Sequence, residues 1–119
     1  IKELIDNRQL YFVPVANPDG YKYNQDSNPG GGGLHRKNRN QTNLTTNIGT
    51  DLNRNFEIGW NEIGIGGSMA NPGSSTTTTN DTYRGISAMS ELENQAMRDW
   101  LRNRRITMAF NHHSFAEAH

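Results

Sequence analysis

The sequence contains no cysteine among its 119 residues. A disulfide framework and a thiolate ligand or nucleophile are therefore excluded, and any metal site must use His, Asp or Glu. The sequence also has no apolar run that approaches the roughly 20 residues of a transmembrane helix. We therefore expect no membrane partner.

The charges balance, with 12 Lys and Arg against 12 Asp and Glu. This balance predicts no bulk electrostatic attraction to nucleic acid or to anionic lipid. Hydrophobic residues are scarce, at 32% of the chain. Even with glycine included, the fraction stays below the roughly 45–50% typical of globular domains. The chain is therefore poor in the side chains from which a separate core is built.

Three segments gather most of the apolar residues. Residues 10–16 (LYFVPVA) end at the turn formers NPDG at 17–20, and they predict a buried strand. Residues 90–101 start with the capping-box pattern SELE and then repeat apolar residues at helical spacing, which predicts a helix. Residues 105–110 (RITMAF) predict a second buried strand. Strand, helix and strand form a βαβ unit, in which the two strands run parallel.

About seventy residues rich in Asn, Thr, Ser and Gly separate the first predicted strand from the helix. Loops longer than about 12–15 residues are uncommon in compact domains unless they are functional or disordered. The composition favours disorder, whereas the polar motifs HRKNR at 35–39 and DLNRNF at 51–56 favour a functional surface. Ligands of open α/β sheets bind beyond the carboxyl ends of the strands. Arginines of this insertion and histidines after the second strand are therefore expected to meet at one edge.

Two histidines and two arginines are the candidates at that edge. His112 and His113 are adjacent on the predicted strand, so their side chains point to opposite faces and at most one binds a given metal. One histidine does not make a catalytic zinc site, which takes three protein ligands. The guanidinium groups of Arg36 and Arg54 suit capture of a carboxylate or stabilisation of an oxyanion. The alternative is that both are solvated loop arginines.

A calcium-binding module is a competing hypothesis. Asp51, Asn53, Asn55 and Glu62 occupy positions 1, 3, 5 and 12 of an EF-hand-like loop. However, position 6 is Phe56 where the sharp turn needs Gly, and no amphipathic helix flanks the segment. This hypothesis predicts calcium-induced folding that depends on Glu62.

Five motifs, taken in order, resemble those of one peptidase family. They are NPDG at 17–20, HRKNR at 35–39, DLNRNF at 51–56, TYRG with SELE at 82–85 and 90–93, and HSF at 113–115. Together they are similar to the zinc metallocarboxypeptidases of the carboxypeptidase A type, the funnelin or M14 peptidases. The resemblance extends over essentially the whole chain from about residue 9.

The resemblance implies a role for each matching residue. His113 corresponds to the third zinc ligand of the family, which makes His112 a bystander. Arg36 matches the arginine that polarises the scissile carbonyl and stabilises the oxyanion. Asn53 and Arg54 match the pair that binds the free C-terminal carboxylate of the substrate.

Four further positions follow from the same resemblance. Asp51 resembles the outer acid that orients a zinc-binding histidine, and such partners fix the tautomer and orientation of the ring. Ser114 and Phe115 fall where the family lines neighbouring substrate subsites, although Tyr is usual at the position of Phe115. His35 stands where animal members often have Trp, which affects packing more than mechanism.

The resemblance also implies which parts of the site lie elsewhere. In the family, a His-x-x-Glu pair supplies two zinc ligands before this segment, and a general-base Glu and a substrate-binding Tyr follow it. We therefore expect residues 1–119 to be the central part of one catalytic domain, incomplete at both ends. The coordination of one zinc ion would be completed by ligands outside the chain, and the isolated fragment would be inactive.

The fold implied by the resemblance is a three-layer α/β/α architecture with a mixed, mostly parallel sheet. This chain would supply a βαβ slice with a long insertion. The implied function is zinc-dependent hydrolysis of the C-terminal residue of a peptide or protein with a free C-terminus. An M14-type amidase acting on cell-wall peptides or amino-acid conjugates is the alternative. The habit of the family implies a secreted or periplasmic location, whereas side-chain specificity and oligomeric state stay open.

Overall fold

A computed structural model describes residues 2–41, 48–60 and 73–113 of the chain. Its helices within these ranges are α1 (Lys2–Asn7), α2 (Pro18–Ser27), a short 3₁₀ helix (Leu52–Arg54) and α3 (Leu92–Arg102). None of the described helices has the length and apolar character of a membrane span.

The helix predicted after Ser90 is confirmed as α3, but it begins later and without the predicted capping box. Glu91 is the N-cap residue, and its side chain makes no capping hydrogen bond. Ser90 Oγ donates to Glu91 Oε1 at 2.7 Å, and Glu93 Oε1 accepts from Asn38 Nδ2 at 3.2 Å. The Ser90 and Glu93 side chains therefore bind the side chains of Glu91 and Asn38 rather than the backbone of the first helical turn.

The NPDG motif, predicted as a turn, begins a helix. Asn17 is the N-cap of α2 and Pro18 occupies the first turn, while Asn17 Oδ1 accepts a hydrogen bond from Gly20 N at 3.0 Å. Asn at the cap followed by Pro is a helix-start signal, because the first turn has no partner for the N–H that Pro lacks. The long predicted insertion thus contains regular structure from its first residues.

The two predicted strands are not formed in the structure. Residues 10–16 and 105–110 have irregular backbone, and large apolar side chains in them, such as Phe12 at 82%, are exposed. Within the described ranges, the only ladder pairing is an isolated parallel bridge between Ser75 and Tyr83. A strand needs a neighbour for its backbone N–H and C=O groups, and neither segment has one among the described residues. The predicted βαβ slice is therefore not formed there.

Residues 10–16 nevertheless contact α3 through one aromatic cluster. The rings of Tyr11 and Trp100 meet edge to face with their centroids 4.8 Å apart. The Arg104 guanidinium lies 4.2 Å from the Trp100 ring centroid and 5.6 Å from that of Tyr11. Contacts of this kind combine apolar burial with cation–π attraction. They orient the segment that leads into α2.

The interior of the described part is mainly polar. Its buried hydrophobic side chains are Leu52, Tyr83 and Met89. The buried polar and charged side chains outnumber them and are Lys37, Asn38, Thr50, Asp51, Asn55, Arg84, Glu91 and Asn94. A buried polar group left without a partner costs about 1–3 kcal/mol. This interior is therefore stable only if its polar groups supply partners to one another.

Asn55 supplies partners to several segments at once. Its Nδ2 lies 2.9 Å from the carbonyl oxygens of Arg84 and Ser87 and from Ser90 Oγ. Its Oδ1 accepts a hydrogen bond from Glu91 N at 3.2 Å. Gly85 makes this approach possible, because a Cβ at that position would stand 2.6 Å from Asn55 Nδ2. One fully buried amide thus joins the DLNRNF segment to the start of α3.

Asn38 makes a second connection of the same kind. Its backbone N–H donates to Thr50 O at 2.9 Å, and its Oδ1 accepts from Thr50 N at 2.8 Å. Its Nδ2 donates to Glu91 Oε2 at 2.7 Å. Burial alone would raise the pKa of Glu91, but hydrogen bonds from Ser90, Asn38, Asn40 and Thr50 outweigh burial and lower it. Glu91 is therefore held as a carboxylate inside the fold.

We expect Asn55→Ala to destabilise the protein. The substitution removes the acceptor of the Glu91 N–H and the donor to the Arg84 and Ser87 carbonyls, so the free energy of unfolding should fall by about 1–3 kcal/mol. Chemical denaturation measures this change. Asn53→Ala is the matched control, because Asn53 is exposed and its truncation should stay within about 0.5 kcal/mol. Equal stability of the two variants would contradict the prediction.

Candidate functional site

Asp51 is the residue at which the two polar motifs meet. Its side chain is buried, and its Oδ1 accepts a hydrogen bond from Asn53 N at 3.1 Å at the start of the 3₁₀ helix. Its Oδ2 lies 2.9 Å from Arg36 Nη2 in an ion pair. The carboxylate therefore joins the HRKNR motif to the DLNRNF motif.

The environment of the Asp51 carboxylate is unusual. Burial raises its pKa, and the charges of Arg36 and Arg54 together with the Asn53 N–H oppose this rise without cancelling it. Although Arg36 is within ion-pair distance, no donor among the described residues is aligned with Oδ2 for a hydrogen bond. Most buried carboxylate oxygens accept at least one such bond. Oδ2 is therefore paired with Arg36 by charge and is not saturated by aligned hydrogen bonds.

Both candidate arginines lie near this carboxylate and keep donors for other groups. The Arg36 side chain is 43% exposed. Arg54 is half-buried, and its contacts are long, with Nη1 3.3 Å from Asn53 O and Nε 3.5 Å from Gly73 O. Asn53 is exposed beside it. Two cations around one buried anion form a surface that suits an anionic or strongly polarised oxygen.

The turn that presents Asn53 and Arg54 is held by hydrogen bonds to its backbone. Asn94 Nδ2, on α3, donates to Leu52 O at 2.9 Å. Asp51 N donates to Tyr83 O at 2.8 Å. These bonds fix the turn against two distant parts of the chain, so its exposed side chains start from a defined backbone.

Lys37 faces inward, in contrast to its neighbour Arg36. It is fully buried, and its Nζ donates to Thr78 O at 2.8 Å and to Asn80 O at 3.3 Å. Burial lowers the pKa of Lys37, while Asp81 and Asp51 act against that change. The buried ammonium connects the HRKNR motif to residues 78–80. Sequence reasoning missed the roles of both Lys37 and Asn94, although Lys37 stands inside a quoted motif.

His113 has no direct bond to the arginine cluster among the described residues. His113 is exposed, and within the described ranges it forms neither an ion pair nor a hydrogen bond with Arg36, Asp51 or Arg54. The neighbouring His112 ring stacks on Phe110 with a centroid distance of 6.5 Å. Assignment of His113 as a zinc ligand stays a prediction. Ser114 and Phe115 lie outside the described residues.

The proposed calcium loop is not supported by the geometry. The Asn55 amide is committed to interior partners, and the Asp51 carboxylate faces Arg36. The fourth ligand of that hypothesis, Glu62, lies outside the described residues. Nor do the described residues contain a group of three or more His, Asp or Glu side chains placed to hold a metal ion.

His35 packs behind the site. Its ring meets Tyr23 edge to face at 4.7 Å between centroids, and its Nε2 lies 3.3 Å from Asn38 O. Burial is the main cause that lowers the pKa of His35. The charges of Arg39 and Lys37 add to this effect, whereas the Asn38 carbonyl and Asp81 oppose it. The folded chain therefore favours the neutral imidazole.

The chain is similar to known carboxypeptidases along its whole length. A family model described as zinc carboxypeptidase matches residues 1–119. Carboxypeptidase B of Bos taurus is 38% identical over 101 residues, which cover 85% of this chain and 21% of that protein. Mast cell carboxypeptidase A of Homo sapiens is 33% identical over 117 residues, which cover 97% of this chain and 25% of that protein. The chain thus spans about a fifth to a quarter of the length of these relatives.

A solved structure agrees with these relatives. The crystal structure of carboxypeptidase A from Helicoverpa armigera is 39% identical and matches with a TM-score of 0.55, covering 74% of this chain and 19% of that chain. This likeness supports an α/β zinc carboxypeptidase fold. Strands are not formed among the described residues.

We expect stability to fall as the pH drops below the ordinary pKa of histidine. Because the folded chain lowers the pKa of His35 from 6.5, the unfolded chain binds more protons as the pH falls from 6.5 towards the folded pKa. The stabilisation is complete above pH 6.5 and is lost within that window. His35→Phe keeps a ring beside Tyr23 and removes the titration, so its stability should change less.

Urea denaturation at pH 7.5 and 5.5 measures the difference. His112→Phe, at an exposed ring, is the matched control and should keep the pH dependence of the parent protein. If His35→Phe loses as much stability between pH 7.5 and 5.5 as the parent does, protonation of His35 is not the cause of the pH dependence.

Proposed function

Because the chain belongs to the zinc carboxypeptidase family, we propose that it forms the central part of a catalytic domain that removes the C-terminal residue of peptides or proteins. The observation that carries this proposal is the placement of Arg36 and Arg54 around the buried carboxylate of Asp51. Removal of a C-terminal residue needs one cation for the terminal carboxylate of the substrate. It needs another for the oxyanion that forms on the scissile carbonyl. The two arginines supply both.

Arg54 and Asn53 bind the terminal carboxylate of the substrate in this proposal. The long contacts of Arg54 with Asn53 O and Gly73 O leave its guanidinium able to make a bidentate contact with an incoming carboxylate. Such a fork fixes orientation as well as position. A substrate whose C-terminus is blocked lacks this contact, so the pair selects free C-termini and places the last peptide bond.

Arg36 acts on the scissile carbonyl. Its guanidinium is tied to Asp51 at one side and is exposed enough to donate to a substrate oxygen. Donors that are already in place when negative charge develops stabilise the transition state more than the ground state. Loss of one such donor typically costs about 2.7–4 kcal/mol of transition-state stabilisation.

Zinc, when bound, would activate a water molecule and polarise the substrate carbonyl. Among the residues of this chain, His113 is the proposed ligand, and the remaining ligands would come from outside the 119 residues. Asp51 fits the outer position, because its buried Oδ2 has no aligned donor among the described residues. If a zinc-binding histidine donated its ring N–H to Oδ2, Asp51 would fix the orientation of that ring. The same hydrogen bond would favour the ionised form of the Asp51 carboxylate. Ser114 and Phe115 would line neighbouring substrate subsites.

The rest of the proposed domain would also complete the sheet. Residues 10–16 and 105–110 are rich in apolar side chains that are exposed in this structure, such as Phe12 and Phe110. Pairing with strands from other parts of the domain would satisfy their backbone groups and bury these side chains. This would give the three-layer architecture with a mixed, mostly parallel sheet. Secretion or a periplasmic location belongs to the same proposal.

We expect Arg54→Ala, made in the protein that carries the whole catalytic domain, to impair cleavage of free C-terminal residues. Hydrogen bonds to charged groups contribute roughly 1.5–3 kcal/mol, so kcat/KM should fall by about 10- to 150-fold. Steady-state kinetics on an acyl dipeptide with a free C-terminus measures this, and the zinc content should stay unchanged. Arg98→Ala, at a partly exposed arginine of α3, is the control. Unchanged turnover in Arg54→Ala would remove Arg54 from the site.

We expect His113→Ala to lower the zinc content of the same protein. A catalytic zinc site has three protein ligands, so loss of one should weaken binding even where folding is kept. Metal analysis after dialysis against a weak chelator measures the occupancy. His112→Ala is the matched control and should retain zinc. Full occupancy in His113→Ala, or loss in His112→Ala only, would refute the assignment.

A further inference from the structure

Asn24, on α2, pairs with the backbone immediately before Arg36. Its Nδ2 donates to His35 O at 2.8 Å, and its Oδ1 accepts from His35 N at 3.0 Å. One side-chain amide thus uses both its donor and its acceptor on a single residue. Because the His35 carbonyl belongs to the planar peptide group that joins His35 to Arg36, this contact fixes the plane on the N-terminal side of Arg36.

Asn17, at the start of α2, bonds to the backbone on the C-terminal side of Arg36. Its Nδ2 donates to Lys37 O at 3.0 Å and approaches Arg36 O at 3.3 Å. Its Oδ1 meanwhile accepts the Gly20 N–H as the helix cap. The Arg36 carbonyl belongs to the peptide group on the C-terminal side of Arg36. Asn24 on α2 and Asn17 at the N-cap of that helix therefore hold both peptide planes that flank the Arg36 Cα.

Each asparagine side chain lies against a glycine, whose missing Cβ leaves room for the contact with the backbone around Arg36. A Cβ at Gly33 would stand 2.5 Å from Asn24 Oδ1. A Cβ at Gly20 would stand 2.4 Å from Asn17 Nδ2 and 2.5 Å from Lys37 O. Real Cβ atoms do not approach heavy atoms this closely, so both positions need glycine for the contact to form. The same local requirement at both asparagines indicates that close approach of α2 to the Arg36 backbone is built into the sequence.

We propose that Asn17 and Asn24 are positioning residues for Arg36, an inference that rests on the proposed action of Arg36 at the scissile carbonyl. Planar peptide groups leave only φ and ψ to rotate at Arg36, and fixing both planes fixes the direction of its Cα–Cβ bond. The guanidinium stands at the end of a long flexible side chain, tethered at its head to Asp51. A backbone rotation at Arg36 would therefore either break this ion pair or move the guanidinium away from the position that the pair now gives it. A misplacement of about 1 Å can cost about 100-fold in rate.

The test uses Asn17→Asp and Asn24→Asp in the zinc-loaded protein with the whole catalytic domain. Both substitutions keep shape and the acceptor oxygen, so the α2 cap is preserved, but they remove the donor and set a carboxylate against a backbone carbonyl. We expect kcat to fall by about 10- to 100-fold with KM within about twofold, because Arg36 acts on the developing oxyanion. Zinc content should be unchanged, and hydrogen exchange should rise in the peptide that covers residues 35–38. Gln25→Glu, an exposed amide-to-acid change on α2, is the control.

A double-mutant cycle with Arg36→Ala separates positioning from a general structural role. If the asparagines act through Arg36, each Asp substitution should change kcat by less than about twofold in the Arg36→Ala background. Equal losses with and without Arg36 would overturn the inference, and so would unchanged kcat in both Asp variants. If Arg36→Ala itself leaves kcat intact, the proposed role of Arg36 fails and the inference falls with it. A large loss in Arg36→Ala together with neutral asparagine variants would overturn the positioning inference alone.

Thermal denaturation identifies a variant that is lost to misfolding. In that case Asn17→Ser, which keeps a good helix cap, or Asn24→Ser, which is smaller and uncharged, replaces the Asp variant at the same position. The same outcomes then apply, because serine also lacks the amide donor that reaches the carbonyls around Arg36.

Discussion

The ion pair between the buried Asp51 carboxylate and Arg36 is the contact on which the arrangement of the candidate site depends. It joins Arg36 to Asp51, which are 15 positions apart in the sequence. The other oxygen of the same carboxylate caps the 3₁₀ helix that presents Asn53 and Arg54. A single buried anion is costly unless its charge is compensated. The two arginines provide part of that compensation, and the anion in turn attracts both of these like charges. Local folding and the proposed substrate recognition would thus depend on the same three charges.

The surrounding interior works by polar complementarity rather than by apolar volume. Asn38, Asn55 and Asn94 are buried, and each donates its side-chain amide to groups distant in the chain. Such bonds have strict geometry, so they specify one arrangement more sharply than non-directional apolar contact does. This accounts for a described interior in which polar side chains outnumber apolar ones. It also places the turn that carries Arg54 in a defined position without a large core.

Sequence reasoning identified features that depend on local pattern and on motif order. The helix after Ser90 follows from helical spacing, and the family follows from five motifs in sequence; both are confirmed. The polar interior was missed because hydrogen-bond partners such as Asn38 and Glu91 are distant in the chain and leave no periodic signal. The strands at 10–16 and 105–110 were predicted from apolar content, but a strand also needs a pairing neighbour. Periodicity does not report whether that neighbour is present.

The arginine cluster and His113 depend on different parts of the proposed domain. Arg36, Asp51 and Arg54 are brought together by contacts that lie wholly inside the described part of the chain. His113, by comparison, follows a segment with irregular backbone and exposed apolar side chains. As a proposed ligand, His113 would acquire a fixed direction only when neighbouring strands pair with its segment. The charge cluster is therefore a property of this chain, whereas the proposed metal geometry would depend on completion of the sheet. Selection of free C-termini and metal chemistry would accordingly respond to different sets of substitutions in the whole protein.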